Sequence, residues 1–204
     1  MSPRVLLVRH GESTWNAVRR WQGQADPPLS VVGEQQARDA RHRAADLVPF
    51  DRVVTSTLRR ARQTGELLAG GLGLELGDAV PELAERAAGE WEGLTRVEIE
   101  ERYPGYLAQE RRPPGYEADA DVVERATRAV LDLVSSHDGH PLLVVSHGGV
   151  INALERADGS GWVRVDNLEG RWFEVADDRL RPVEDRVALL GDGADPSPSD
   201  PSYA

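Results

Sequence analysis

Three short apolar segments, each ending abruptly in polar residues, constrain the fold of this chain more than any other feature. They are Arg4–Val8, Arg52–Thr55 and Leu142–Val145, followed respectively by Arg9-His10, Ser56-Thr57 and Ser146-His147. Short runs of Val and Leu between polar residues are typical of buried β-strands. Stretches with apolar residues at helical spacing separate them, which is typical of parallel strands joined by helices. The sequence therefore predicts an α/β fold, a three-layer α/β/α sandwich with a mostly parallel mixed sheet.

The remaining elements follow from caps, breakers and periodicity. We predict helices after Ser30 and after Ser56 or Thr57, the first ended by Pro49 and the second by Gly70, Gly71 and Gly73. Further helices are predicted near 95–103, over Asp121–Ser135 and from Val150. Further strands are predicted at Leu74–Leu76, Gly161–Asp166, Arg171–Ala176 and Leu180–Val183, the last two forming an antiparallel end of the sheet.

Composition excludes several classes of protein. The chain has no Cys, so disulfides, thiolate metal sites and Cys nucleophiles are impossible. Its 24 basic residues are all Arg, which removes Schiff-base and P-loop lysines. The net charge of −11 argues against a nucleic-acid partner, whose phosphates must be neutralised. No apolar run approaches the roughly 20 residues of a membrane span, and the start lacks a signal-peptide pattern, so we expect a cytoplasmic protein with no membrane partner.

The chain is predicted to hold one domain over residues 1–190. Its 204 residues suffice for a full hydrophobic core, and no linker interrupts it. Residues 191–204 are rich in Pro, Ser and Asp and predict a disordered C-terminal tail. The first 65 residues carry more Arg than acidic residues, which is compatible with a local anion site but needs no functional explanation by itself.

The strand ends indicate where the chemistry lies, because the carboxyl ends of parallel strands meet at one edge of a sheet. This rule brings Arg9, His10 and His147 together with Arg59, which follows the second strand. Arginines, imidazoles and helix N-termini suit a doubly charged oxyanion, and phosphate fits best. Two His without a carboxylate pair are too few for zinc, and the arginines would repel a cation, so we expect no metal. A proton donor is also required, and spacing alone leaves open Glu82, Glu85, Glu90 and Glu92.

A series of motifs carries a resemblance to a known family. They are, in order, Arg9-His10-Gly11-Glu12, Thr14-Trp15-Asn16, Trp21-Gln22-Gly23, Pro28-Leu29-Ser30, Thr55-Ser56-Thr57-Leu58-Arg59-Arg60-Ala61, Leu83-x-Glu85, Gly89-x-Trp91-Glu92-Gly93 and Ser146-His147-Gly148-Gly149. Each is a modest signal alone, but together they resemble the phosphoglycerate-mutase-like branch of the histidine phosphatase superfamily. The resemblance implies a phosphoglycerate-mutase-like fold and chemistry through a phosphohistidine, with no metal and no cofactor.

The resemblance also implies roles for individual residues. His10 is the implied nucleophile, and Arg9, Arg59 and His147 are the implied ligands of the phosphoryl oxygens. Glu85 is the implied acid, which protonates the leaving alkoxide and then takes a proton from water. The implied pocket-lining residues are Gly11, Asn16, Gln22, Gly23 and Gly148. These roles agree with the chemistry, since phosphoryl transfer requires positioning and cations around the spreading oxygen charge.

Departures from the mutase pattern favour hydrolysis over isomerisation. Ala87 and Ala88 follow the acid where mutases carry bulkier side chains, and Gly149 stands where they usually have Asn. We therefore expect a metal-independent hydrolase of phosphomonoesters whose partner is a small phosphorylated metabolite. The alternative is a phosphoglycerate mutase dependent on 2,3-bisphosphoglycerate, because basic residues lie near the mutases' substrate-binding positions, namely Arg96, Arg111 and Arg112. A catalytically silent binding module of the same fold is a third hypothesis, although none of the implied catalytic residues is missing.

Overall fold

A six-stranded sheet forms the centre of the fold in the computed structural model, which describes residues 3–136 and 140–191. Its strands are β1 (Arg4–Arg9), β2 (Arg52–Ser56), β3 (Glu75–Val80), β4 (Leu142–Ser146), β5 (Glu169–Ala176) and β6 (Arg179–Ala188). The spatial order is β3-β2-β4-β1-β5-β6. The pairs among the first four strands of this order are parallel, whereas β5 is antiparallel to both β1 and β6. The predicted mostly parallel mixed sheet is confirmed.

Helices cover both faces of the sheet. They are α1 (Thr14–Ala17), α2 (Val31–Leu47), α3 (Arg59–Leu72), α4 (Arg96–Arg102), α5 (Asp119–Ser135) and α6 (Gly148–Ala157). Side chains alternate along β1, so that Leu6 and Val8 pack with α2 and α3, whereas Val5 and Leu7 pack with α5 and α6. The two apolar layers confirm the predicted three-layer α/β/α sandwich.

The segment between β3 and α5 forms its own apolar cluster beside the sheet. Trp91 is fully buried in it and meets Trp21 edge to face, with ring centroids 4.8 Å apart. α4 begins at a capping box in which the Thr95 side chain accepts the backbone N–H of Glu98. This segment carries Glu85, and the tryptophan pair fixes it against the loop that follows β1.

The predicted start of α2 is confirmed, whereas the predicted boundaries of α3 differ from the observed ones. Ser30 caps α2 as predicted, its hydroxyl accepting the backbone N–H of Gly33 at 3.0 Å. α3 does not start at the predicted cap of Ser56 or Thr57, because its N-cap residue is Leu58. Nor do Gly70 and Gly71 end it. The helix continues to Leu72 and ends where Gly73 adopts a left-handed conformation, with φ of +68°.

The predicted strand over 161–166 is wrong, because side chains occupy the carbonyl groups that a strand would need. Arg186 donates to the carbonyl oxygens of Val163 and Arg164 at 3.0 and 2.5 Å. Arg9 donates to the carbonyl oxygen of Val165 at 2.7 Å. The Arg186 guanidinium is itself held by the buried carboxylate of Glu155, at 3.1 and 2.5 Å. The segment is therefore an irregular connection fixed by arginines rather than a sheet neighbour.

The tail predicted for 191–204 lies, from residue 192 onward, outside the described residues. Within the described ranges, none of the helices combines the length and the hydropathy that crossing a bilayer requires. The antiparallel end predicted after Asp177-Asp178 is confirmed, since β5 and β6 flank that turn.

Candidate active site

The two histidines expected at the site lie side by side at the carboxyl edge of the sheet. β1 and β4 are parallel neighbours with Arg9 opposite Ser146, so His10 and His147 follow directly after paired residues. Their ring centroids are 5.2 Å apart in an edge-to-face arrangement. Both side chains are buried, with 2% and 0% of their surface exposed. The structure thus brings together the pair that the strand-end rule predicts.

Hydrogen bonds fix the tautomer of the His10 imidazole. Its Nδ1 lies 2.6 Å from the carbonyl oxygen of Gly11, which can only accept, so Nδ1 carries the proton. Its Nε2 lies 3.1 Å from Nε of Arg60, which can only donate, so Nε2 presents its lone pair. The ring is held as the neutral form whose Nε2 can act as a nucleophile.

The guanidinium beside His10 belongs to Arg60, and the prediction of Arg59 in this place is wrong. Arg59 is exposed, and its backbone N–H donates to the Asp26 carboxylate at 2.6 Å. Arg60 is fully buried, and besides His10 it donates to backbone carbonyls that include Gly23, at 2.9 Å. Arg60 is therefore the helix residue placed to bind an anion at Nε2 of His10.

Helical periodicity contains the signal that identifies the correct arginine. The buried residues of α3 recur in pairs every four positions, namely Arg60, Ala61, Thr64, Gly65, Leu68 and Ala69. Arg60 belongs to this buried stripe, whereas the side chain of Arg59 is rotated by about 100° around the helix axis from that of Arg60. Of two adjacent arginines, the one in phase with the apolar stripe points inward.

Arg9 and the backbone of His10 are held from the antiparallel half of the sheet. Nη1 of Arg9 donates to the Val165 carbonyl at 2.7 Å, and the Arg9 carbonyl accepts the N–H of Leu168 at 3.0 Å. Asn167, which is buried, donates from Nδ2 to the His10 carbonyl at 2.7 Å. Sequence reasoning missed Asn167, because a single Asn in an irregular segment carries no pattern.

His147 is joined to the end of β2. Its Nε2 lies 2.7 Å from the hydroxyl of Ser56, which also accepts the backbone N–H of Leu58 at 3.3 Å. Among the described residues, its Nδ1 has no hydrogen-bond partner although it is buried.

The carboxylate of Glu85 sits at the N-terminus of α6, next to the histidine pair. Its Oε2 accepts the backbone N–H of Gly149 at 3.2 Å, and its Oε1 accepts the N–H of Arg86 at 2.8 Å. A Cβ atom at position 149 would lie 2.2 Å from Oε1 of Glu85. The absence of a side chain at Gly149 is therefore what lets this carboxylate approach the helix end.

The residues expected to line the pocket form the loop between β1 and α2 and the start of α6. Asn16 is buried in α1, where its Oδ1 accepts the N–H of Ser13, and the hydroxyl of Ser13 is 2.6 Å from Oε1 of Gln22. Gly11 and Gly23 present their carbonyls to His10 and Arg60. Gly148 is the first residue of α6. Hydrogen bonds thus join Asn16 and Gln22 to Ser13 within the loop, and Gly11 and Gly23 contact His10 and Arg60 directly.

The surroundings favour the neutral form of both imidazoles. Burial lowers the pKa of His10 well below 6.5, and the charges of Arg60 and Arg9 lower it further, against an opposing contribution from the Gly11 carbonyl. Burial likewise lowers the pKa of His147 well below 6.5, with Arg60 the next cause. Both groups therefore stay unprotonated at neutral pH.

These pKa shifts predict a loss of stability in mild acid. Below pH 6.5 the unfolded chain takes up protons on both imidazoles, whereas the folded chain does not until the pH reaches the lower folded pKa values. The free energy of unfolding should thus fall with decreasing pH, by up to about 1.4 kcal/mol per unit for each imidazole. Urea unfolding between pH 5.5 and 8 measures this slope. His10→Asn should remove one imidazole's share, and an unchanged slope in that variant would contradict the assignment.

The remaining candidates lie outside the histidine cluster. Among the residues described by the structure, no three His, Asp or Glu side chains are grouped so that they could hold a metal ion. Arg112 lies over the rings of Tyr116 and Trp91, at 5.3 and 5.8 Å, and Arg111 lies 3.9 Å from the ring centroid of Tyr106. Both arginines thus belong to the aromatic cluster beside the site.

Known proteins resemble this chain both in sequence and in fold. The sequence model of the histidine phosphatase superfamily (branch 1) matches residues 5–179. The chain is 34% identical over 199 residues to glucosyl-3-phosphoglycerate phosphatase of Mycobacterium tuberculosis, covering 85% of this chain and 88% of that protein. It is 34% identical over 156 residues to a probable phosphoglycerate mutase of Enterobacter, covering 74% and 72%. A solved mycobacterial glucosyl-3-phosphoglycerate phosphatase with VO3 superposes with a TM-score of 0.78 at 31% identity, covering 89% and 97%.

The match to the superfamily spans most of the chain, and it includes both histidine motifs. The fold agrees with the solved relative over nearly the whole of that relative's length. The relatives carry the names of phosphatases and of a mutase, so the superfamily is common to them while their reactions differ. By sequence and by fold, the chain belongs to the histidine phosphatase superfamily.

Proposed function

We propose that this protein hydrolyses small phosphomonoesters through a phosphohistidine on Nε2 of His10, without a metal ion. The observation that carries the proposal is the buried neutral imidazole whose Nε2 lone pair faces the Arg60 guanidinium at 3.1 Å. A nucleophilic nitrogen with a guanidinium beside it indicates where a phosphoryl group would bind. Names of phosphatases among the relatives support the same class of reaction.

In the first step, Nε2 of His10 forms a bond to phosphorus as the bond to the ester oxygen breaks. Arg9 and Arg60 hold the phosphoryl oxygens and offset their charge, which is the main requirement of phosphoryl transfer. The Glu85 carboxyl group gives its proton to the departing alkoxide, so an alcohol leaves. Nδ1 keeps its proton and donates it in a hydrogen bond to the Gly11 carbonyl, and this bond stabilises the positive charge that develops on the ring.

In the second step, water attacks phosphorus and the bond to Nε2 breaks. Glu85, now a carboxylate, takes a proton from that water, and inorganic phosphate leaves with the catalyst restored. His147 completes the oxygen-binding set. In the proposed tautomer the Ser56 hydroxyl donates to Nε2 of His147, and Nδ1–H donates to a phosphoryl oxygen.

Hydrolysis is favoured over mutase activity by the contact between Gly149 and Glu85. A Cβ atom at position 149 would lie 2.2 Å from Oε1 of Glu85, so the Asn usual in mutases would require this carboxylate to shift from its present place. The mutase alternative keeps one supporting observation, the arginines Arg111 and Arg112 in the adjacent aromatic cluster.

The proposal predicts that phosphate release exceeds isomerisation for every substrate. Purified protein is given a panel of phosphomonoesters, including 3-phosphoglycerate with and without 2,3-bisphosphoglycerate, and both products are quantified. We expect release to be faster by at least about 100-fold, because in the proposed reaction water rather than a substrate hydroxyl group accepts the phosphoryl group. Faster isomerisation would overturn hydrolysis in favour of the mutase, and loss of activity with a chelator would overturn metal independence.

A further inference from the structure

We propose that Arg125 and Glu117 are positioning residues for the Glu85 carboxyl group, because together they clamp the backbone on both sides of it. The inference rests on the proposed role of Glu85 as proton donor. Neither residue belongs to the phosphate-binding set. Arg125 lies in the second turn of α5 and Glu117 just before that helix.

Arg125 fixes the chain that leads into Glu85. Its Nη1 donates to the carbonyl oxygens of Glu82 and Ala84 at 2.5 and 2.7 Å, and its Nη2 lies 3.3 Å from the carbonyl of Glu85 itself. One planar guanidinium therefore gathers three carbonyls over four consecutive residues. Such a fork is rigid, and a lysine could not reproduce it.

Glu117 fixes the chain that leaves Glu85. Its Oε2 accepts the backbone N–H of Ala87 at 3.1 Å, and its own backbone N–H donates to the Ala87 carbonyl at 3.0 Å. The same carboxylate binds Arg125 in a bidentate pair, with distances of 2.7 and 2.9 Å. The two ends of the acid's loop are thus joined through one ion pair.

The ion pair between Arg125 and Glu117 is largely buried, which strengthens its electrostatic attraction. The side chains of Arg125 and Glu117 are 19% and 16% exposed, so solvent screens their attraction less than at the open surface. Burial acts to raise the pKa of Glu117, but the hydrogen bonds from Arg125 and Ala87 outweigh it and lower that pKa below its usual value. Near neutral pH the Glu117 carboxylate therefore stays charged and keeps its hydrogen bonds to Arg125 and to the Ala87 N–H.

The arrangement has a specific kinetic consequence. A displacement of about 1 Å in a catalytic group can lower the rate about 100-fold, and here the displaced group would be the proton donor alone. Alkyl phosphates need that proton because an alkoxide is a poor leaving group. p-Nitrophenyl phosphate does not need it, since nitrophenolate leaves unprotonated. Loss of the clamp should therefore discriminate between the two substrates.

The test compares Arg125→Gln with Arg128→Gln, which lies on the same helix in an exposed i,i+4 pair with Glu124. For Arg125→Gln we expect kcat on an alkyl phosphate to fall about 100-fold while kcat on p-nitrophenyl phosphate stays within about threefold. Arg128→Gln should leave both rates unchanged. Glu117→Gln should reproduce the selective loss more weakly, and it serves as the second variant if Arg125→Gln fails to fold.

Glu85→Gln, measured in parallel, separates this inference from the proposed function. If Glu85→Gln spares alkyl phosphates, the acid role itself fails. If Glu85→Gln shows the selective loss but both clamp variants lower the two substrates equally, the clamp is merely structural and the positioning proposal fails alone. Selective loss in all three variants supports it.

Discussion

Replacing His10 with alanine is expected to lower kcat for phosphate release by about 10⁴-fold or more, because it removes the proposed nucleophile. The readout is phosphate release under saturating substrate. Wild-type protein quenched in acid-free denaturant during turnover should carry a label from [³²P]-phosphomonoester that is stable to base and lost in acid. The His10→Ala variant should carry none.

The matched control for this prediction is His42→Ala. His42 is exposed on the polar side of α2, so its removal should leave both the rate and the label unchanged. Retention of label by His10→Ala, or activity within about tenfold of wild type, would assign the covalent step to another residue.

The second large effect concerns the two adjacent arginines at the start of α3. Arg60→Ala is expected to lower kcat/KM by about 10³-fold, since it removes a buried guanidinium beside Nε2 of His10, where we propose that the phosphoryl group binds. Arg59→Ala should change kcat/KM by less than about threefold, because that side chain is exposed. Steady-state kinetics on one phosphomonoester measures both.

A second readout distinguishes loss of the charge from loss of the fold. Arg60 contributes to the low pKa of His10, so Arg60→Ala should move the acidic limb of the pH profile of kcat/KM toward higher pH. Arg60→Lys keeps the charge and should restore the position of that limb while recovering little of the rate. Equal losses in Arg59→Ala and Arg60→Ala would contradict the placement of these two side chains.

The sequence predicts the fold correctly where a continuous apolar run is followed directly by polar residues. The runs that became β1 and β4 are continuous, so the positions of His10 and His147 follow from them. The choice between Arg59 and Arg60 failed because two adjacent arginines are chemically identical, and only helical phase separates them. Phase has to be read from the whole apolar stripe, not from the motif.

The errors beyond α3 have a different physical origin. The alternation in 161–166 resembles a strand, but Arg186 and Arg9 bind the carbonyls there, and those donors come from distant parts of the chain. Asn167 was missed for the same reason, since it reaches the backbone of His10 from 157 positions away in the sequence. Contacts of this kind leave no periodic trace in a sequence. The Arg125 clamp on the acid's loop belongs to the same class.

The position of β1 in the sheet has a consequence for synthesis of the chain. β1 precedes the other described strands in the chain, yet its neighbours in the sheet are β4 and β5, which begin at Leu142 and Glu169. At about 5–20 residues per second, the ribosome adds the roughly 130 residues between β1 and β4 in about 6–26 s. Throughout that time the apolar strand that precedes His10 has neither of its sheet neighbours and is exposed to other unpaired strands. His10, which follows β1, can therefore take its place beside His147 only after β4 has been made.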